Sequence, residues 1–212
     1  MTDIDVDHQI KAVQRNVGSR TIDTGEAHVV TFSQAYDTDP ADLWDAVTNI
    51  ERIPRWFLPI SGDLKVGGSY QLEGQAGGTV LTCDPPKNFT ATWEYGGNVS
   101  WIDVSISSEG PDRARLVLEH IIGGGDEIWR EFGPGAVGMG WDSMLLGLAI
   151  HVGTGESIDP SFGQQWIGTE DGRRFLMLSG EEWHTANVES GEDPTAARAL
   201  TDRCIKAYLG EK

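Results

Sequence analysis

Between residues 63 and 122 the chain falls into short β-type runs, each introduced by a pair of turn-forming residues, and this cadence constrains the fold more than any other feature. Gly67-Gly68 precedes SYQLE, Gly77-Gly78 precedes TVLTC, Pro85-Pro86 precedes NFTATWEY, Gly96-Gly97 precedes VSWIDVSIS, and Gly110-Pro111 precedes RARLVLEHI. Connections of roughly two to four residues suit hairpins, so successive runs pair as an antiparallel meander. Parity then sorts the side chains. Tyr70 and Leu72; Phe89, Ala91 and Trp93; Ile102, Val104 and Ile106; Leu116, Leu118 and His120 each share one face, while Gln71, Glu73, Thr90, Glu94, Asp103, Arg115 and Glu119 take the other. One face is wet and the other needs a cover.

The cover is predicted in GPGAVGMGWDSMLLGLAIHVG, where Val137, Trp141, Met144, Leu145, Leu148 and Val152 recur at helical spacing. Upstream, AHVVTFSQAY reads as a further strand. DPADLWDAV reads as a helix over about Pro40–Val47, capped by Thr38 or Asp39, with a second short helix running toward Trp56. Residues 1–26 show no sustained periodicity and are expected to be a lead-in with a short helix near Gln9–Val13. Beyond the long helix, Ile158–Gly168 reads as an irregular crossing anchored by Phe162 and Trp166. Two helices follow, over about Thr169–Val188 and Pro194–Tyr208, the second with an apolar stripe of Ala197, Leu200, Cys204 and Tyr208. The expected organisation is a lead-in (1–26), a main domain (27–153) and a helical C-terminal extension (154–212) packed on it.

Composition narrows the function. The chain carries 16 Lys and Arg against 33 Asp and Glu, a net charge of −17 that repels phosphate backbones and anionic lipid surfaces. Nucleic acid and membrane insertion are therefore not expected, and MTDIDVDHQI lacks the basic n-region of a signal peptide, so a cytoplasmic location is the default. Cys83 and Cys204 are too few for a disulfide framework and read as small buried residues. His8, His28, His120, His151 and His184 show no metal-ligand spacing, and no metal or cofactor is expected. GPGAVG matches G-x-G-x-x-G, but no βαβ unit surrounds it, so its glycines read as a bend into the long helix that lets this helix approach the sheet closely. Glu181 and Glu182 after Ser179 read as a capping box, and His151 as a residue favoured by the helix C-terminal dipole.

The order of these elements resembles a known group. DPADLWDAVTNIERIPRWF, the SYQLEG strand, GGTVLTCDPPKNFTATWEYG, RARLVLEH and the late GWDSMLLGLAIHV together resemble the SRPBCC superfamily. That is the group with the START or birch-pollen-allergen helix-grip fold, and the similarity is greatest to the branch related to the activator of the ninety-kilodalton heat-shock ATPase. The resemblance implies an α+β helix-grip fold: a curved antiparallel β-sheet wrapped around a long C-terminal helix, with additional C-terminal helices and an apolar cavity between sheet and helix.

A sheet curved around one helix leaves a space that bulky aromatics would line. Trp56, Phe57, Tyr70, Trp93, Met144 and Leu148 are placed on its wall, Trp141 on the helix facing it, and Phe32, Leu72, Ile102, Val104, Leu116 and Leu118 on its floor. His120 shares the parity of Leu116 and Leu118, so it can, with Tyr70, set the orientation of a ligand or act as a general base, or simply be satisfied by a backbone carbonyl or by solvent at the sheet rim. The same residues can also fill a solid core. The expected function is binding of a small apolar or aromatic molecule, with no catalytic residue assigned. The alternatives are a cyclase, dehydratase or hydrolase using the same cavity, and a co-chaperone-like module that stimulates a chaperone ATPase. A homodimer through the terminal helices is a further expectation.

Overall fold

The computed structural model describes residues 4–159 and 162–211. Residues 1–3 of the expected lead-in, 160 and 161 of the expected crossing, and 212 of the extension lie outside the described residues. The strands are β1 (Gln14–Ile22), β2 (Gly25–Tyr36), β3 (Ile60–Gly62), β4 (Ser69–Leu72), β5 (Gly77–Asp84), β6 (Asn88–Tyr95), β7 (Asn98–Gly110) and β8 (Arg113–Gly123). They form one curved antiparallel sheet in the order β1-β2-β8-β7-β6-β5-β4-β3. The meander runs from β3 to β8, and β8 closes back on β2 with Phe32 opposite Leu118 and Val30 opposite His120.

The face assignment holds. Tyr70, Leu72, Ala91, Ile102, Val104, Ile106, Leu116, Leu118 and His120 are all buried, because side chains two apart on a strand share one face. Cys83 departs from expectation: it is exposed. The register of β5 against β6 shifts between Val80 and Thr82, and the extra residue of this bulge reverses parity, carrying Cys83 to the open end of the same face as Val80.

Helix α2 (Pro40–Thr48) follows the predicted span, with the Asp39 carboxylate accepting from the Ala41 and Asp42 N–H groups. The second short helix is only a 3-10 turn, Ile53–Arg55, with Pro54 inside it. Residues assigned to the lead-in are ordered differently from expectation: α1 (Val6–Ala12) lies in place of a helix near Gln9–Val13, and β1 adds an edge strand paired along its whole length with β2. The crossing contains a short helix, α5 (Phe162–Ile167), with the Phe162 and Trp166 rings 6.1 Å apart. Between sheet and crossing come α3 (Glu127–Phe132) and α4 (Gly135–Thr154), and α6 (Glu170–Glu189) and α7 (Pro194–Leu209) end the chain.

Helix α4 is apolar on most of its circumference because it is covered from both sides. Trp141, Leu145 and Leu148 face the sheet, while Met139 meets α6 beside Gly180 and α7 at Cys204. By length and composition α4 would suit a membrane span, yet it is the central helix of this core. Two of its glycines set its distance from neighbours. A Cβ on Gly138 would stand 2.4 Å from the Trp183 ring, and one on Gly147 would stand 2.5 Å from the Trp56 carbonyl oxygen. The glycine-rich entry thus serves close approach to α6 rather than to the sheet.

Where α4, α6 and the edge strand β1 meet lies a buried ion pair. Asp142 is fully buried, and Arg15 Nε donates to its carboxylate at 3.0 Å. Ser179 Oγ and Trp183 Nε1 donate to the same Oδ2 at 2.5 and 3.0 Å, and Arg15 Nη1 donates to the Ile10 and Val13 carbonyls. Ser179 is therefore no cap: it lies in mid-helix, and Thr169 caps α6 by accepting from the Gly172 N–H. His151 also has a more specific role than a dipole partner. It is buried, with Arg52 Nε donating to its Nε2 at 3.2 Å and its Nδ1 on the Glu156 carbonyl at 2.6 Å.

Candidate functional site: the sheet-helix cavity

A cavity of about 140 Å³ lies between the sheet and α4. Strand β4 supplies Tyr70, β6 supplies Phe89 and Trp93, and α4 supplies Trp141, Met144 and Leu148, while the 3-10 turn and the residues after it bring in Trp56 and Phe57. The wall is built from paired rings, one pair stacked and one tilted. Trp56 and Phe57 lie 5.7 Å apart at 23°, and Trp93 and Trp141 lie 4.9 Å apart at 46°. Trp56 is fixed by its indole N–H donating to the Ala46 carbonyl at 2.8 Å, which ties the turn to α2.

Seven of the eight residues singled out from the sequence, Trp56, Phe57, Tyr70, Trp93, Trp141, Met144 and Leu148, line this cavity. Leu72, Ile102, Val104, Leu116 and Leu118 form its floor. Two placements differ. Phe32 lies deeper in the core, edge-on to Trp183 at 4.9 Å, because its strand β2 is beyond β8 in the sheet. His120 has the expected parity, but Trp93 and Trp141 pack over it at ring separations of 6.1 and 5.9 Å and keep it from the lining.

Both nitrogens of His120 are engaged. Trp141 Nε1 donates to Nδ1 at 2.8 Å, which places the ring proton on Nε2, where it donates to Ser100 Oγ at 2.8 Å. Ser100 Oγ in turn donates to the Trp93 carbonyl at 3.0 Å. Burial holds the His120 pKa down at about 4, because taking the imidazolium out of bulk solvent penalises its charged form. Tyr70 is likewise committed: its hydroxyl donates to the Thr92 carbonyl at 2.7 Å, and burial pushes its pKa above the ordinary tyrosine value. The two residues expected to orient a ligand instead hold the wall in place.

Several lining residues were not placed there from the sequence. Phe89 carried a readable signal, since it shares parity with Trp93. Ile60 and Leu64 did not, because Ile60 opens the three-residue strand β3, too short to show alternation, and Leu64 follows it. Cys83 is reoriented by the bulge and lies where the cavity opens.

Comparison with known proteins agrees with this architecture. Residues 37–153 match the family model described as activator of Hsp90 ATPase homolog 1-like protein. The crystal structure of CalU16 from Micromonospora echinospora is 32% identical, with 82% of this chain and 98% of that chain covered at a TM-score of 0.67. Its solution structure gives 85% and 97% coverage at 0.69. An HSP90 activator from Plasmodium falciparum, PFC0360w, is 23% identical over 60% of this chain and 96% of that one, with a TM-score of 0.51, and shows a shared fold. No curated protein matches the chain significantly. A family match over more than half of the sequence, and a 32% identical structure spanning most of it, show that this chain belongs to the activator of Hsp90 ATPase homolog 1-like family, within the SRPBCC superfamily.

Proposed function

We propose that this protein binds a small apolar or aromatic molecule in the cavity between the sheet and α4. The observation that supports the reading is the cavity itself, about 140 Å³ and walled by aromatic and aliphatic side chains. An apolar cavity of about 150 Å³ accepts a benzene-sized guest, so one aromatic ring, or the end of a larger molecule entering by Cys83, fits this volume. Burial of ligand surface at about 25 cal/mol per Å² supplies the affinity. A cyclase or hydrolase in the same cavity would need convergent polar groups, and His120 and Tyr70 are spent on Trp141, Ser100 and Thr92. The co-chaperone reading draws on the family description and on the P. falciparum activator, and an unchanged chaperone ATPase rate on adding this protein would remove it.

The test is native mass spectrometry of the purified protein together with titration of its tryptophan fluorescence with naphthalene. Saturable quenching is expected in the wild type. Ala91→Phe, which fills the cavity from β6, should abolish it. Absence of saturable quenching, or quenching unchanged in a folded Ala91→Phe variant, overturns the proposal.

A further inference from the structure

On the other side of Trp93 lies a second cavity of about 110 Å³, between the β6–β7 hairpin, the end of β8 and the start of α3. Its chemistry differs from that of the first. Among the described residues, three aromatic side chains, Trp93, Tyr95 and Trp129, stand around it with one carboxylate, Asp126, and no lysine or arginine lines it. Trp129 is held by His28, whose ring stacks on it at 4.1 Å and 7°. Asp126 Oδ1 caps α3 by accepting from the Trp129 N–H at 2.7 Å, which leaves Oδ2 to a ligand. The imidazole at the wall, His120, spends both nitrogens on Trp141 and Ser100 and brings no positive charge at neutral pH.

Aromatic rings present negative faces, and several of them beside a carboxylate make the arrangement that attracts an organic cation, whose methyl groups also bury apolar surface. The chain's net charge of −17 adds a favourable field for such a ligand and an unfavourable one for an anion. We infer that this second cavity is a binding site for a small organic cation, an alkylammonium or quaternary ammonium group, caged by Trp93, Tyr95 and Trp129 and neutralised by Asp126. It stands independently of what the first cavity holds.

Choline and its neutral isostere 3,3-dimethyl-1-butanol, titrated by calorimetry into the full-length protein, test the assignment. Choline is expected to bind saturably and at least about tenfold more tightly than the isostere. Asp126→Asn keeps a capping oxygen but removes the charge, and should weaken choline by about tenfold while leaving the isostere unchanged. Tyr95→Ala acts at a ring that is 56% exposed, so the fold is not at risk, and should weaken choline about two- to fivefold. Equal affinity for choline and isostere, no saturable choline binding, or unchanged choline binding in folded Asp126→Asn and Tyr95→Ala variants would each overturn it.

Discussion

Lowering the pH from about 7.5 to about 5 is expected to cost the fold about 2 kcal/mol through His120 alone. In the folded protein Trp141 Nε1 donates into Nδ1 at 2.8 Å, so a proton added there would set two donors against each other in a buried site. The folded pKa is about 4 against the ordinary 6.5. The unfolded chain takes up a proton below pH 6.5 that the folded chain refuses until about pH 4, so the stability is complete above 6.5 and is lost as pH falls toward 4. The full gap corresponds to about 3 kcal/mol, of which about 2 kcal/mol is lost by pH 5. Urea unfolding followed by tryptophan fluorescence at several pH values measures the slope in the wild type and in His120→Phe. The variant is expected to be less stable at pH 7.5 by about 1–3 kcal/mol, because Trp141 and Ser100 lose their partner, but its stability should fall less with acid. Parallel pH profiles for the two proteins would refute the reasoning, since they would show that the proton goes elsewhere.

Other consequences can be measured independently. Arg15→Met leaves the Asp142 carboxylate buried without its cation and should cost about 3–5 kcal/mol in urea unfolding, and pairing it with Asp142→Leu should recover most of that loss. Gly138→Ala drives a methyl group into the Trp183 ring and should destabilise by about 1–3 kcal/mol in thermal unfolding. Gly153→Ala, in the same helix with open space around it, should stabilise by about 0.5–1 kcal/mol. Ellman's reagent should titrate exposed Cys83 rapidly and Cys204, whose pKa burial pushes up to about 12, only on unfolding. Naphthalene should slow the Cys83 reaction, because that side chain lines the cavity where it opens.

What could be read from the sequence follows from which interactions are local. Strand alternation and turn pairs are local, so β4 through β8 and their inward faces were legible, and with them most of the aromatic wall. Strand β1 was not, because QRNVGSRTI is polar on both parities and is held by pairing with β2 and by Arg15, whose partner lies 127 residues away. The parity of Cys83 was lost for a related reason, since the bulge near Leu81 is invisible to a period-two count. His120 was placed on the right face, yet alternation reports direction and not depth. It could not reveal that two indoles from β6 and α4 would lie over the ring.

The salt link under α4 also bears on how this protein can be cut. The segment matching the family, residues 37–153, contains Asp142 but neither Arg15 nor Ser179 nor Trp183. Excised alone, it would carry a bare carboxylate on its central helix, beside a glycine notch shaped for a missing indole. The two ends of the polypeptide, far apart in sequence, thus meet as halves of one clasp, and anyone trimming either end should expect the central helix, and the cavity it walls, to loosen with it.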